Sequence, residues 1–447
     1  MATDTEESVD LLDSFRQFFA LERDVLVLSL SMLAFSLAFQ MTGRYVPEYL
    51  RVLGASAGVI GLYGSVGNFI SAVYPYPGGA ISDRIGSRLA LTAFAVLATL
   101  GFGLWYLASV VGDVAVGPVT VPAWGLVFVG LFLAQAWKSF GLGATFAIVK
   151  QAVPPDRLAM GFASTEMFRR IGFLLGPLLA AALLALTPTF AGGFQLILLA
   201  AIAFSLVATV AQHVLYDASE DSLGKSFQGL QQVLADLRSM PEPLRPLLVA
   251  DTLVRFANGM VYVFFVIVVT EFLSVGFSGF GVSLRPDAFF GVLLGVEMVV
   301  AILSMAPVSK FTEYAGLKPA VALGFSVYAL FPLALIFAPA DQWLMVALFA
   351  YSGLRFAGLP AHKALIVGPA EADAGGRVTG TYYLVRNTVV IPSAALGGWL
   401  YGSEWAFDIA GRTLRAGPEL AFLTASVIGL LGVVYFLLFG EEFRAYE

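Results

Sequence analysis

Twelve predominantly apolar stretches, each long enough for the roughly 20-residue helix that crosses a bilayer, follow one another along this 447-residue chain. They lie at roughly 25–50, 55–77, 89–110, 122–149, 160–186, 193–215, 246–272, 287–308, 319–339, 343–367, 377–401 and 418–440. Folding the chain on itself in water cannot hide that much apolar surface. Hydrophobic residues make up 59% of it, mean hydropathy is +0.84, and only 13% of residues are charged, about half of what a soluble domain carries. A lipid solvent is therefore expected. The expected fold class is an all-α membrane protein with twelve transmembrane helices.

The longest polar connection, 216–245, divides the spans six and six. It gives an expected domain plan of a cytoplasmic leader (1–24), a first six-helix bundle (25–216), a linker (217–245), a second bundle (246–440) and a tail (441–447). The start "MATDTEESVDLLDSF" is acidic and lacks the basic n-region of a secretory signal. Arg84, Arg88, Lys150, Lys225, Lys310 and Lys318 fall in connections on the side of the termini, whereas only Arg51, Arg285, Arg412 and Arg415 fall on the other. The positive-inside rule then places both termini in the cytoplasm and the protein in the cell membrane.

The two halves repeat one another. "GLYGSVGNFISAVYPYPGGAISDRIGSR" (61–88) aligns without gaps on "GVLLGVEMVVAILSMAPVSKFTEYAGLK" (291–318), pairing Gly61 with Gly291, Pro77 with Pro307, Asp83 with Glu313, Gly86 with Gly316 and Arg88 with Lys318. "KSFGLGATFAIV" (138–149) likewise aligns on "RFAGLPAHKALI" (355–366), so Lys138 corresponds to Arg355, and the same offset sets Arg169 on Arg386. Such matches in one order imply two homologous six-helix bundles of the same orientation.

Several chemistries have no basis here. Cysteine is absent, and the two histidines, His213 and His362, are far apart, so neither thiolate nor H-E-x-x-H metal sites are expected. There is no Walker motif and no nucleophile–base constellation. The chain reads as a non-enzyme without a cofactor and without a nucleic-acid partner.

The stretch "GGAISDRIGSR" (78–88), between the second and third spans, resembles the loop signature of the major facilitator superfamily, roughly G-x-L-A-D-R-x-G-R-K, through Gly79, Asp83, Arg84, Gly86 and Arg88. The resemblance implies two pseudo-symmetric bundles and a cytoplasmic latch between them. In that latch Asp83, with Arg84 and Arg88, faces the eleventh span near Arg377, and Glu313 and Lys318 form the symmetric counterpart near the fifth. "GFLLGPLLAA" (172–181) also resembles the family's antiporter signature, with Ala180 and Ala181 replacing its last two glycines.

Charged residues inside the spans need reasons, because each costs at least ~2.5–3.5 kcal/mol at the bilayer centre. Counting at 1.5 Å per residue, Lys138, Glu297 and Arg355 fall near mid-depth. Arg169, Arg170, Arg255 and Arg386 fall in the cytoplasmic half, and Arg44 in the outer part of the first span. Glu166 with Arg169 or Arg170, and Asp251 with Arg255, have same-helix pairing distances and read as structural or gating pairs. Arg386 reads as the symmetric partner of Arg169 in a cytoplasmic gate. Lys138 and Arg355 have no acid three or four residues away, so they are candidates to line a central cavity and attract an anionic group. Pairing with an acid in another span is the alternative. Glu297, a lone carboxylate, is a candidate proton-coupling site or half of a fixed salt bridge. Asn68, Asn258, Asn387 and Tyr262 are candidate cavity residues, as are Tyr63, Trp137, Tyr351 and Tyr382.

The expected function is secondary transport by alternating access, with proton-coupled efflux of a small molecule ahead of uptake or exchange of an organic or inorganic anion. A non-transporting sensor or scaffold of the same fold is the competing class. The coupling ion is expected to be a proton. The net charge of −6, with arginine outnumbering lysine 19 to 6, suggests a high-salt organism and keeps sodium as the alternative. The protein is expected to act as a monomer in the lipid bilayer.

Overall fold

A computed structural model describes residues 23–116, 118–140, 158–216, 241–242, 244–368, 375–409 and 412–442. The expected leader up to residue 22, nearly all of the linker and the tail from residue 443 lie outside the described residues.

The first span is a helix, α1 (Arg23–Gly43), that ends earlier than expected. The chain turns at Arg44 and Tyr45 and resumes as α2 (Val46–Val52), where Pro47 suits a first turn that has no need of its N–H. The second span is also broken. The helix α3 (Ala57–Val73) starts on Ser56, whose Oγ accepts from the Val59 amide, and α4 (Pro75–Ile85) follows after Tyr74. Next come α5 (Ser87–Val111) and α6 (Trp124–Gln135), which widens into a π-helical turn, Ala136–Phe140. The first half closes with α7 (Leu158–Ala185) and α8 (Phe190–Leu215).

The second half has α9 (Leu244–Val261), continued to Phe272 through a 3-10 turn at Tyr262–Phe264 and a π turn at Val268–Phe272. It continues with α10 (Pro286–Ala315), α11 (Leu317–Ile336), α12 (Gln342–Gly353), α13 (Leu359–Val367), α14 (Gly375–Val390), α15 (Ser393–Tyr401) and α16 (Pro418–Phe439). Among the described residues, nine helices are long and apolar enough to cross a membrane. The second, fourth and eleventh expected spans are not among them. Two are interrupted, at Tyr74 and at Ile391–Pro392, and the fourth is described only to Phe140. Outward-facing residues such as Leu100, Val207, Leu303 and Leu438 are more than half exposed and apolar, as lipid contact requires.

The sequence repeat becomes a repeated turn. Gly86, between α4 and α5, has φ +87°, and Gly316, between α10 and α11, has φ +85°. Both lie in a region that L side chains avoid. Close by, the Glu442 carboxylate accepts from the Leu317 and Lys318 amides at 2.7 and 2.9 Å, fixing the residues just after α16 to the start of α11. We call this the terminal end. At the opposite, far end three short antiparallel hairpins join helices: β1 (Val114–Val116) with β2 (Val119–Val121), β3 (Phe277–Gly279) with β4 (Val282–Leu284), and β5 (Ala406–Ile409) with β6 (Arg412–Arg415).

The halves meet along two seams, α3 against α15 and α7 against α10. Both use glycine to bring backbones together. A Cβ on Gly61 would fall 2.4 Å from the Ala394 carbonyl oxygen, and one on Gly291 2.6 Å from that of Pro177. The segment "GFLLGPLLAA" is thus a packing strip: Gly172 and Gly176 abut Ser36 and Gln40 of α1, while Pro177 and Ala181 abut α10.

Candidate functional site

Between the halves lies a cavity of about 300 Å³. From the first half, α1 contributes Ser36, Gln40 and, at its end, Arg44; α3 contributes Tyr63 and Asn68; and α7 contributes Arg169 and Phe173. The π turn after α6 contributes Lys138. From the second half come Tyr262, Val263, Val266 and Phe290. Arg44, Lys138 and Arg169 are the cations of this lining, and no Asp or Glu is part of it among the described residues.

Each cation is positioned by a local departure from regular helix or by a ring. The π turn carries Lys138 into the cavity, where it is exposed, and such turns recur at functional sites because they re-aim one side chain. Its neighbour Trp137 is buried and stacks on Phe35 with ring centroids 4.1 Å apart, which anchors the turn. No carboxylate pairs with Lys138 among the described residues. Arg44 sits in the break between α1 and α2, with its guanidinium 4.3 Å from the centre of the Tyr262 ring across the interface. Arg169 lies over Phe173 at 5.2 Å. Asn68 donates to the Val390 carbonyl at 3.4 Å, also across the interface.

Other expected site residues are elsewhere. Arg355 does not line this cavity. It is 3% exposed and forms an ion pair with Glu297, itself 2% exposed, and it packs on the Tyr328 and Phe356 rings at 5.3 and 4.8 Å. The physical reason is plain: a buried guanidinium needs a counter-charge, and it finds one in another helix, where a search along its own helix cannot see it. Of the two readings of Glu297, the structure shows the salt bridge. Asn258 and Asn387 are also not part of the cavity lining. Asn387 Oδ1 instead accepts from Arg386 Nε at 3.2 Å. Tyr382 is fully buried rather than cavity-facing.

The expected gating residues Asp251, Arg255 and Arg386 gather within the second half and not between the halves. Asp251 is fully buried and receives Arg255 at 3.2 Å, Arg386 at 3.1 Å, His362 at 3.3 Å and the Tyr382 hydroxyl at 3.1 Å. Arg255 also donates to the Tyr328 hydroxyl at 2.8 Å. The cluster ties α9 to α11, α13 and α14. Arg386 therefore faces Asp251 rather than mirroring Arg169. Sequence reading missed His362 and Tyr328, since nothing local marks either as a partner of Asp251.

At the terminal end, the side chains of Asp83, Arg377 and Glu166 lie outside the described residues, and so does any latch between Asp83 and Arg377. Arg84 and Glu313 are exposed, Arg88 is half-buried, and none of the three has an ion-pair partner among the described residues. Lys318 donates to the Leu437 carbonyl at 3.0 Å, a contact inside its own half.

The far end is fastened across the interface. Thr270 Oγ1 donates to Glu48 at 2.9 Å, and Arg51 pairs with Glu271 at 3.2 Å. Tyr45 donates to the Asp287 carbonyl at 3.1 Å, Arg285 to that of Leu184 at 3.1 Å, and the Ala395 amide to Ser65 Oγ at 2.8 Å.

The sequence matches the Major Facilitator Superfamily over residues 28–287. An uncharacterised MFS-type transporter of Methanocaldococcus jannaschii is 22% identical over 419 residues, 92% of this chain and 93% of its own length. Another, from Mycobacterium tuberculosis (strain H37Rv), is 25% identical over 428 residues, 91% of each chain. Among solved structures, a POT family transporter in complex with a thioalcohol-conjugated peptide has a TM-score of 0.69 at 14% identity, covering 94% of this chain and 98% of that one. The nucleoside transporter NupG has a TM-score of 0.67 at 12% identity, covering 95% and 99%. At such identities the solved structures speak to the fold.

Proposed function

Because the chain belongs to the Major Facilitator Superfamily, a family of membrane transporters, we propose that it is a secondary transporter that carries a small organic anion by alternating access. One observation supports the anion above all. The cavity between the halves presents Arg44, Lys138 and Arg169 with no lining carboxylate among the described residues. Arg44 and Lys138, the latter with no carboxylate paired to it among the described residues, attract a carboxylate or phosphate in this partly desolvated space, and an Arg fork can grip such a group in two places. Phe39, Tyr63, Trp105, Phe173 and Phe290 supply apolar walls for the rest of such a molecule. The volume of about 300 Å³ is at the lower end of what small-molecule sites offer.

Proton-coupled export of an amphipathic molecule, the other reading, draws on the Gly-Pro strip of the fifth span and on the aromatic residues, which serve either reading. That strip is occupied in packing α7 against α1 and α10, so the charge of the cavity outweighs it.

Flux into proteoliposomes tests the anion reading. Lys138→Gln should raise the KM for organic anions roughly tenfold or more, the range of a lost charge-assisted contact, and leave neutral or cationic compounds unaffected. Equal effects on every class of substrate would refute it.

A further inference from the structure

A carboxylate is buried at the far-end junction of the halves with no ion-pair partner among the described residues. Glu48 lies in α2, beyond the end of the first membrane-spanning helix at Gly43, and is 7% exposed. Its one hydrogen-bond partner among the described residues, Thr270, belongs to the other half and stands 2.9 Å away. The Thr270 hydroxyl also points at the Val266 carbonyl, 2.8 Å away. A hydroxyl has one proton. If Thr270 gives it to Val266, the contact with Glu48 holds only when the carboxyl supplies a proton of its own.

The surroundings act in the same direction. Among the described residues, the charged and titratable groups facing Glu48 are Glu271, Asp287, Arg51 and, from α15, Tyr401. Arg51 is committed to Glu271 at 3.2 Å, and Arg285 to Asp287 at 2.8 Å. Burial first, then the neighbouring Glu271 and Asp287 carboxylates, push the Glu48 carboxyl up to about 7, against the pull of the Thr270 hydrogen bond and Arg51.

We propose that Glu48 is a proton-binding site whose protonation closes the far end of the transporter. When the halves separate there, Thr270 withdraws with the second half and water reaches Glu48, which ionises like any exposed carboxylate. Closure strips that water away, and an ionised, unpaired carboxylate resists it; taking up one proton removes the resistance. The proton enters from and returns to the solution at the far end. Glu48 therefore sets the balance between open and closed by the pH on that side, without itself carrying a proton across. The proposal rests on the alternating-access reading above, but not on the identity of the substrate.

The sign follows from linkage. A group whose closed-state pKa exceeds its open-state value stabilises closure fully below the open-state value, and that gain is lost as pH rises to the closed-state value. The window runs from the ordinary carboxylate value of about 4.3 to about 7.

The chain has no cysteine, so cysteines introduced at exposed Ala115 and Val282, on hairpins of opposite halves, are unique attachment points for spin labels. Inter-label distances in lipid nanodiscs, measured without substrate, read closure directly. The closed-to-open ratio should fall by up to tenfold per pH unit across the window, several hundredfold in all, and then level off. Glu48→Gln, nearly the same shape and permanently neutral, should stay closed at every pH. A parent protein without pH dependence would overturn the proposal by itself. So would a Glu48→Gln variant with the parent's profile. Because no substrate is present, either result is separate from failure of the anion reading.

Discussion

Lys138 and Arg355 are equivalent positions of the two halves, yet their surroundings differ. Arg355 is sealed against Glu297, whereas Lys138 is exposed in the cavity. The consequences of neutralising them should differ too. Glu297→Gln strands a buried guanidinium and should cost about 3–5 kcal/mol of stability. The double variant Glu297→Gln with Arg355→Gln should recover much of it. Thermal unfolding in detergent reads both, and a Glu297→Gln variant as stable as the parent would contradict a fixed buried pair. Lys138→Gln, by contrast, should leave stability nearly unchanged while anion flux falls. The sequence marks all three residues as charges in apolar spans. It does not reveal that two of them neutralise one another, because 58 positions separate them along the chain.

At the scale of elements, the helices were legible and their interruptions were not. Proline and glycine at 43–47, 74–77 and 391–393 signal breaks only weakly, because membrane helices tolerate both. The structure nevertheless uses the first break to place Arg44, and the π turn after α6 to place Lys138. The three hairpins also escaped the sequence reading, since strands of three or four residues are too short for alternation to register. Glycines on one helix separate into roles by what surrounds them. Gly61→Ala puts a Cβ 2.4 Å from the Ala394 oxygen and 2.8 Å from Gly398 Cα, so the α3–α15 seam must spread, at a cost of about 1–3 kcal/mol. Gly67→Ala, with nothing within 4 Å, should be neutral or slightly stabilising. A Gly61→Ala variant that melts as high as Gly67→Ala would show that the seam does not decide.

For the whole molecule, most of the described cross-interface hydrogen bonds and ion pairs gather toward the far end, around Tyr45, Glu48, Arg51, Thr270 and Asp287, while Asn68–Val390 and Arg170–Met305 cross elsewhere. If transport requires that end to open, tying it shut must stop flux. Cysteines replacing Arg51 and Glu271, whose side chains stand 3.2 Å apart, should accept a short reductant-cleavable thiol linker. Linking should abolish proteoliposome flux and reductant should restore it. Undiminished flux in the linked protein would mean that the halves do not part there.

The sequence by itself determined the solvent, the helical class and the duplicated plan that pairs Gly86 with Gly316, because hydropathy, helix length and repeated motifs are properties of short segments. Only the tertiary structure decided the remaining charge pairings: Asp251 with Arg386 and His362 from two further helices, Arg355 with Glu297, and Lys138 with the cavity. A charge in a medium of low dielectric takes its meaning from whatever stands within a few ångströms of it, and in a helical bundle those neighbours come from distant parts of the chain.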